Sequence, residues 1–273
     1  ENKIKRIILK DIGYENWLDY IEYIEMSIYP FDIINNKKKD LVISLNISKD
    51  TGVIVIYKKT NSNYSYVTKI EDLTYIDNIS IFNTEALNKS FLIVEQILDE
   101  RLGAFFLDNY VQIFTNINNT SFKEVLRLSK NYETYYYEKW TTPTIENPKW
   151  FKITEKNLID YMVNEDELPI VNINKTLKKY EGFSSDDSIP ENFELIQTKN
   201  ISTSYYWSNK YKYFIQNEGK LKSTGELVGI IEKSNQLADS LLQLSKPYYK
   251  IVDKNGKIKY IKENKLSVIH ISQ

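Results

Sequence analysis

Hydrophobic residues along this chain gather in short runs separated by polar turns, and most runs are rich in β-branched or aromatic side chains. Lys5–Lys10, Leu41–Ile47, Gly52–Lys58, Tyr64–Ile70 and Tyr75–Phe82 have this character, as do Phe91–Leu98, Gly103–Leu107, Tyr110–Asn116 and Phe122–Leu128. Such runs, bounded by Asn, Asp, Ser and Gly, predict strands. Their starts recur about every 10 residues, the spacing of an antiparallel all-β architecture. One early segment breaks the pattern. Within Asn16–Tyr29, Trp17, Ile21, Ile24 and Ile28 fall at helical intervals ahead of Pro30, which predicts an amphipathic helix.

Beyond the polar, Pro-containing stretch Thr141–Pro148 the pattern changes. Trp150–Thr154 predicts a short strand, and Glu155–Val163 predicts a helix with Leu158, Ile159 and Met162 on one face. Tyr180–Asn192 reads as loop, and strands resume at Phe193–Thr198, Tyr205–Trp207 and Tyr211–Gln216. Glu232–Leu244, with Leu237, Leu241 and Leu244 in register, predicts a second helix. Tyr248–Val252 and Lys257–Ile261 flank Asn255-Gly256, a hairpin signal of the type I′ kind. The expected fold is mainly β with a few helices: an antiparallel β-meander or propeller-like blades, with an α+β C-terminal part. The expected division is a β-rich, blade-like region over 1–140 and an α+β region over 141–273, with one continuous domain as the alternative.

Composition narrows the chemistry. The chain has no Cys, and its one His, His270, stands near the C-terminal end, where it reads as a side chain on a terminal strand. Thiol chemistry, disulfides and Cys-ligated zinc are therefore excluded, and a Ser-His-Asp triad or a multi-His metal site is disfavoured. With 8 Gly and no Gly-rich phosphate loop, nucleotide-binding folds of the common kinds are disfavoured too. The balance of 36 basic and 37 acidic residues gives no reason to expect nucleic acid as a partner. No apolar run approaches the ~20 residues of a spanning helix. Ile, Lys and Asn number 37, 33 and 27 against three each of Ala and Arg, so part of the excess of 22 Tyr reflects a low-G+C coding bias. The sequence begins at Glu1 rather than Met, and a leader removed on export is one expectation from that. With the lack of Cys, the expected location is extracytoplasmic or at the cell surface, with a lipid anchor through a segment outside this sequence; the alternative is cytoplasmic.

The segment Phe31–Ser44 resembles the calcium loop of an FG-GAP/VCBS-type repeat, the unit of integrin α-like seven-bladed propellers. Asp32, Asn36 and Asp40 stand at the first, fifth and ninth loop positions, and Leu41–Leu45 supplies the following strand. Thr51–Tyr57 resembles the family's next strand, and a fainter echo returns about 50 residues on, the size of a four-stranded blade. The matching residues cover about a quarter of the chain. The loop departs from the family at Ile34 and Lys37, neither of which suits a hard cation. The resemblance therefore implies a blade-like hairpin without bound metal, and no cofactor is expected.

Aromatics and carboxylates are what remain for function. Tyr132, Tyr135, Tyr136, Tyr137 and Trp140 form one concentration, and Tyr205, Tyr206, Trp207, Tyr211, Tyr213 and Phe214 another. Flat rings with a polar tip suit sugar or peptide contact, which makes Trp207, Tyr205 and Trp140 the candidate ligand-binding residues. Alternation along a strand would instead send one ring inward and its neighbour outward. Carboxylates cluster at Asp99-Glu100, Glu165-Asp166-Glu167 and Asp186-Asp187. Asp99, Glu100 and Asp166 are the candidates if the chain is a glycoside hydrolase, which needs two acids about 5–10 Å apart. The function expected first is a non-catalytic exported or cell-surface domain that binds a cell-wall glycan or a surface protein. A carboxylate-dependent glycosidase and a purely structural domain are the alternatives.

Overall fold

The computed structural model describes residues 1–35, 37–118, 120–184 and 187–269. The chain is mainly β and meander-like, built from three antiparallel sheets; no closed propeller is formed by the described residues. The first sheet is β1 (Glu25–Phe31), β2 (Asp40–Ser48), β3 (Thr51–Lys59) and β4 (Tyr64–Leu73), side by side in chain order. A second follows the chain through β5 (Tyr75–Thr84), β6 (Lys89–Asp99), β7 (Phe106–Asn116), β8 (Phe122–Tyr137), β9 (Trp150–Val163), β10 (Pro169–Gly182), β11 (Glu194–Ser208) and β12 (Tyr213–Ile215). The third contains β13 (Asn217–Leu221), β14 (Leu227–Lys233), β15 (Tyr248–Val252), β16 (Ile258–Lys262) and β17 (Leu266–Ile269), in the order β16-β15-β14-β13-β17. Two compact units divide the chain, one made of 1–98 with 110–128 and the other of 99–109 with 129–273.

In the first unit, β2 and β3 are buried on both faces, which is why their sequences are near-continuous aliphatic runs rather than alternating ones. One face packs Ile43, Leu45, Val53 and Val55 against Ile8 and Leu9 of α1 (Asn2–Asp11) and Ile12 just after it. The other packs Val42, Ile54 and Ile56 against Ile76, Ile79, Leu92 and Val94. Segment 5–10, expected as a strand from its Ile content, lies within α1. Burial of Ile8, Leu9 and Ile12 against the sheet outweighs the weak local preference of a β-branched run. The helix expected over Asn16–Tyr29 is a 3₁₀ segment, Glu15–Tyr23, followed by edge strand β1, whose Pro30 costs no ladder bond on its outer side. The strand expected at Gly103–Leu107 starts only at Phe106, after a turn. Gly52 on β3 is irreplaceable for a packing reason: a Cβ there would lie 2.2 Å from the Thr74 carbonyl oxygen.

The second unit corrects the α+β expectation for the C-terminal part. Glu155–Val163 is not a helix; it continues β9, with Phe151, Ile153, Glu155 and Asn157 buried at alternate positions. Two polar residues at inward positions hid the period of two. Glu232–Leu244 is likewise the end of β14 followed by 3₁₀ turns Ser234–Gln236 and Ala238–Leu242. Phe193–Thr198 and Tyr205–Trp207 are one strand, β11. The closing hairpin forms as expected, with Val252 opposite Ile258. Its turn is not type I′: Gly256 alone takes a positive φ, of 77°, and the Asp253 carboxylate accepts the Asn255 and Lys257 amides.

Gly52→Ala is expected to lower unfolding free energy by about 3 kcal/mol, because backbone rather than a pliable side chain opposes the new methyl. Gly103→Ala, where no atom lies within 4 Å of the added Cβ, is expected to be near neutral. Urea unfolding of both variants checks the pair.

Candidate functional site

Strands β9, β10 and β11 run in unbroken antiparallel register over most of their length, and the register sorts their residues onto two faces. Asp160, Asn172 and Ser204 make one cross-strand row; Leu158, Asn174 and Ser202 the next; then Lys156, Thr176 and Asn200; then Thr154, Lys178 and Thr198. These positions are exposed or half-buried, and they form the outer face. Hydrogen bonds tie the rows together: Ser204 donates to Asn172 Oδ1 at 2.6 Å, Ser202 to Asn174 Oδ1 at 2.8 Å, and Thr176 to Asn200 Oδ1 at 3.1 Å.

Three cavities adjoin along this face. The largest, about 610 Å³, includes Asp160, Asn172, Ser204, Tyr206, Gln216 and Lys233 in its lining. The next, about 420 Å³, shares Asn174 and Ser202 with it, and the third, about 520 Å³, shares Lys156 and Thr176 with the second. In the first cavity Gln216 is 4% exposed. Its Nε2 donates to Tyr205 Oη at 3.0 Å, while its Oε1 is buried without a hydrogen-bond partner. The Tyr205 bond holds this amide on the inward side of β11, where a buried oxygen left unpaired costs roughly 1–3 kcal/mol.

The inner face carries a buried ion pair. Lys175 Nζ meets Glu155 Oε1 at 2.5 Å, with the two side chains 13% and 5% exposed. Asn157 donates to the same Glu155 oxygen at 2.7 Å, and the Ala238 amide donates to Oε2 at 3.2 Å. Lys199 Nζ to the Asn235 carbonyl (2.7 Å) and Lys179 Nζ to the Leu241 carbonyl (3.3 Å) hold the same 3₁₀ segment. Ala238 and Leu241 fill the hydrophobic cluster beneath, with Phe151, Ile153 and Leu177. Glu232 faces Lys250, Lys175 and Glu155, and burial raises its carboxyl pKa above the ordinary range. Lys175, Asn157 and the Ala238 amide engage both oxygens of Glu155, so this cluster fastens the chain.

The sequence-derived candidates fall in several places. Tyr205 and Trp207 lie on the inward side of β11, 7% and 4% exposed. Trp207 packs edge-on against Phe214 at 5.5 Å and donates Nε1 to Asn209 Oδ1 at 3.0 Å. Their neighbour Tyr206 points the other way and lines the largest cavity. Trp140 is 49% exposed and belongs to a different cluster, with Phe105, Tyr136, Tyr137 and Trp150. Asp99 holds Arg101 within the β6–β7 turn at 2.5 Å, with Glu100 beside it. Asp166 sits at the tip of the β9–β10 hairpin. The β6–β7 turn bonds Tyr135, one step along β8 from Thr134, which pairs with Ile153. From there to the end of β9 is about ten residues, on the order of 30 Å, far beyond the spacing of a glycosidase pair.

The loop that resembles a calcium site is used otherwise. Asp32 accepts the Lys37 amide at 2.8 Å. Asp40 is fully buried and accepts the Lys59 amide at 3.0 Å. Ile34, at the third loop position, is in the core. Asn36, Asp186 and His270 lie outside the described residues. Among the described residues, no group of three or more His, Cys, Asp or Glu is arranged to hold a metal ion. Compared with protein-family models, with curated proteins and with solved structures, the chain matches none.

The raised Glu232 carboxyl has a stability consequence of definite sign. Starting from its ordinary value of 4.5, the folded chain keeps a proton that the unfolded chain has already released. Stability therefore falls as pH rises through that range and levels off above the folded pKa. Glu232→Gln is expected to be more stable than the parent at pH 7 and equal to it near pH 4. Denaturant unfolding at the two pH values checks this; a deficit at pH 7 would contradict it.

Proposed function

We propose that this chain is a non-catalytic binding domain of an exported or cell-surface protein, and that it holds a glycan on the outer face of β9–β11. The observation that carries the reading is a 610 Å³ cavity whose wall includes the hydroxyls and amides of Asn172, Asn174, Ser202 and Ser204 beside Tyr206. Sugars present many hydroxyl donors and acceptors on a compact ring, which is what such a wall complements. Tyr206 supplies the flat ring that commonly packs against a sugar. One carboxylate, Asp160, lines the cavity, whereas hydrolysis of a glycosidic bond uses two. The exported location rests on the absence of Cys. The likeness of the first unit to a propeller repeat stays a proposal on one observation: β1–β4 form a consecutive four-stranded meander, as a blade does.

Glycan-array screening followed by calorimetry tests the reading. Tyr206→Ala and Asn174→Ala are each expected to weaken the bound glycan at least tenfold with the far-UV spectrum unchanged, since both side chains lie at the surface of the sheet. Affinity indifferent to both substitutions, or an array with no bound glycan, would overturn it.

A further inference from the structure

The three adjoining cavities are not alike in charge, and the difference specifies the ligand more closely than the polarity of the face alone. The largest is lined by one acid, Asp160, and one base, Lys233. In the other two, the acidic lining residues are already engaged: Glu133 with Lys152 at 2.6 Å, and Glu155 with Lys175 at 2.5 Å. Lys156 and Lys178 have no carboxylate partner among the described residues. The register makes them diagonal neighbours, since Lys156 lies opposite Thr176 and Lys178 opposite Thr154. Diagonal positions of this kind stand roughly 7–8 Å apart. Two ammonium groups with no counter-charge therefore share one end of the face, while hydroxyls and amides occupy the other beside one acid, Asp160, and one base, Lys233.

The length of the face matters as well. From Asp160 to Thr154 is six residues along β9, on the order of 20 Å, which accommodates several sugar rings in a row. Neighbouring cavities share lining residues, Asn174 and Ser202 between the first two and Lys156 and Thr176 between the others, so they succeed one another along the face.

Resting on the glycan reading above, we infer that the ligand is a linear anionic glycan. Its charged groups lie over Lys156 and Lys178, and an uncharged stretch lies against Asn172, Ser204 and Tyr206. Lysine recognises charge as a point and does not by itself distinguish carboxylate from phosphate, so the test separates the two sources.

Binding is measured by calorimetry with three probes of matched length: an oligogalacturonate, the same oligosaccharide with its carboxyls reduced to alcohols, and a glycerol-phosphate oligomer. The expected result is that oligogalacturonate binds at least tenfold tighter than its reduced form at low salt. That advantage should shrink as salt screens the lysines. The double substitution Lys156→Gln/Lys178→Gln should abolish the preference while leaving affinity for the reduced form within twofold. Equal binding of charged and reduced sugars would overturn the anionic inference and leave the glycan reading standing. A preference that survives the double substitution would overturn the assignment to these lysines. Binding of the phosphate oligomer as tight as that of oligogalacturonate would show that charge alone is read and overturn the glycan part. If none of the three binds, both readings fall.

Discussion

The register that locks β9, β10 and β11 together is the constraint on which the second unit depends. Side chains on a strand alternate with a period of two, so a slip of one residue would exchange the two faces entirely. Inward, Val171, Ile173 and Leu177 are at most 3% exposed, and Ile153 and Phe151 join them. A slip would bring Asn172, Asn174 and Thr176 into that core without partners, at a cost of several kcal/mol. The aliphatic face thus fixes the position of the polar one. The cavities, the hydroxyl–amide pairs and the lysine pair are all consequences of a core that tolerates only one alignment.

The buried Glu155–Lys175 pair works within the same alignment. A buried ion pair is a poor source of net stability against an apolar replacement, but removing one partner is costly. Here the carboxylate also receives the Asn157 amide and the backbone amide of Ala238. The segment after β14 is thereby positioned by charge at one point and by Leu241 packing at another. With Lys179 and Lys199 bonded to its carbonyls, the segment covers the inner face by specific contacts rather than by apolar burial alone. The outer face carries the three adjoining cavities instead.

Where side-chain periodicity and local preference agreed, the fold was legible. β2, β3, β4 and β5 and the last hairpin were all placed by their aliphatic runs and turn residues. Where a strand carried polar residues inward, the period was lost. Glu155 and Asn157 hide the alternation of β9, and Leu158 and Met162, which suggested a helix face, are among its exposed residues. The helix α1 was misread for the opposite reason, because Ile is a strand former locally and its helical burial depends on a partner distant in sequence. The candidate site was legible to within one residue on β11. The aromatic run was visible, but which of Tyr205, Tyr206 and Trp207 faces outward depends on a register no local pattern specifies. Asn172 and Asn174 carried no signal, since in a chain with 27 Asn such residues are indistinguishable from coding bias until pairing aligns them.

That pairing has a consequence for recognition. On most solvated sheet faces, long charged side chains cover the strands and must be ordered when a ligand arrives. Here Asn172 and Asn174 are already held, each through Oδ1, by Ser204 and Ser202. Asn200 is held by Thr176 in the same way. With Oδ1 occupied, Asn174 retains its Nδ2 donor for a ligand, and the amide plane that carries it is fixed before the encounter. Immobilising a rotamer-rich side chain costs roughly 0.5–1.5 kcal/mol on binding, and short side chains tied across strands avoid most of that cost. A shallow polar face of this kind gains little from hydrophobic burial. Its affinity must come from donors and acceptors fixed in advance, and the register of β9–β11 is what fixes them.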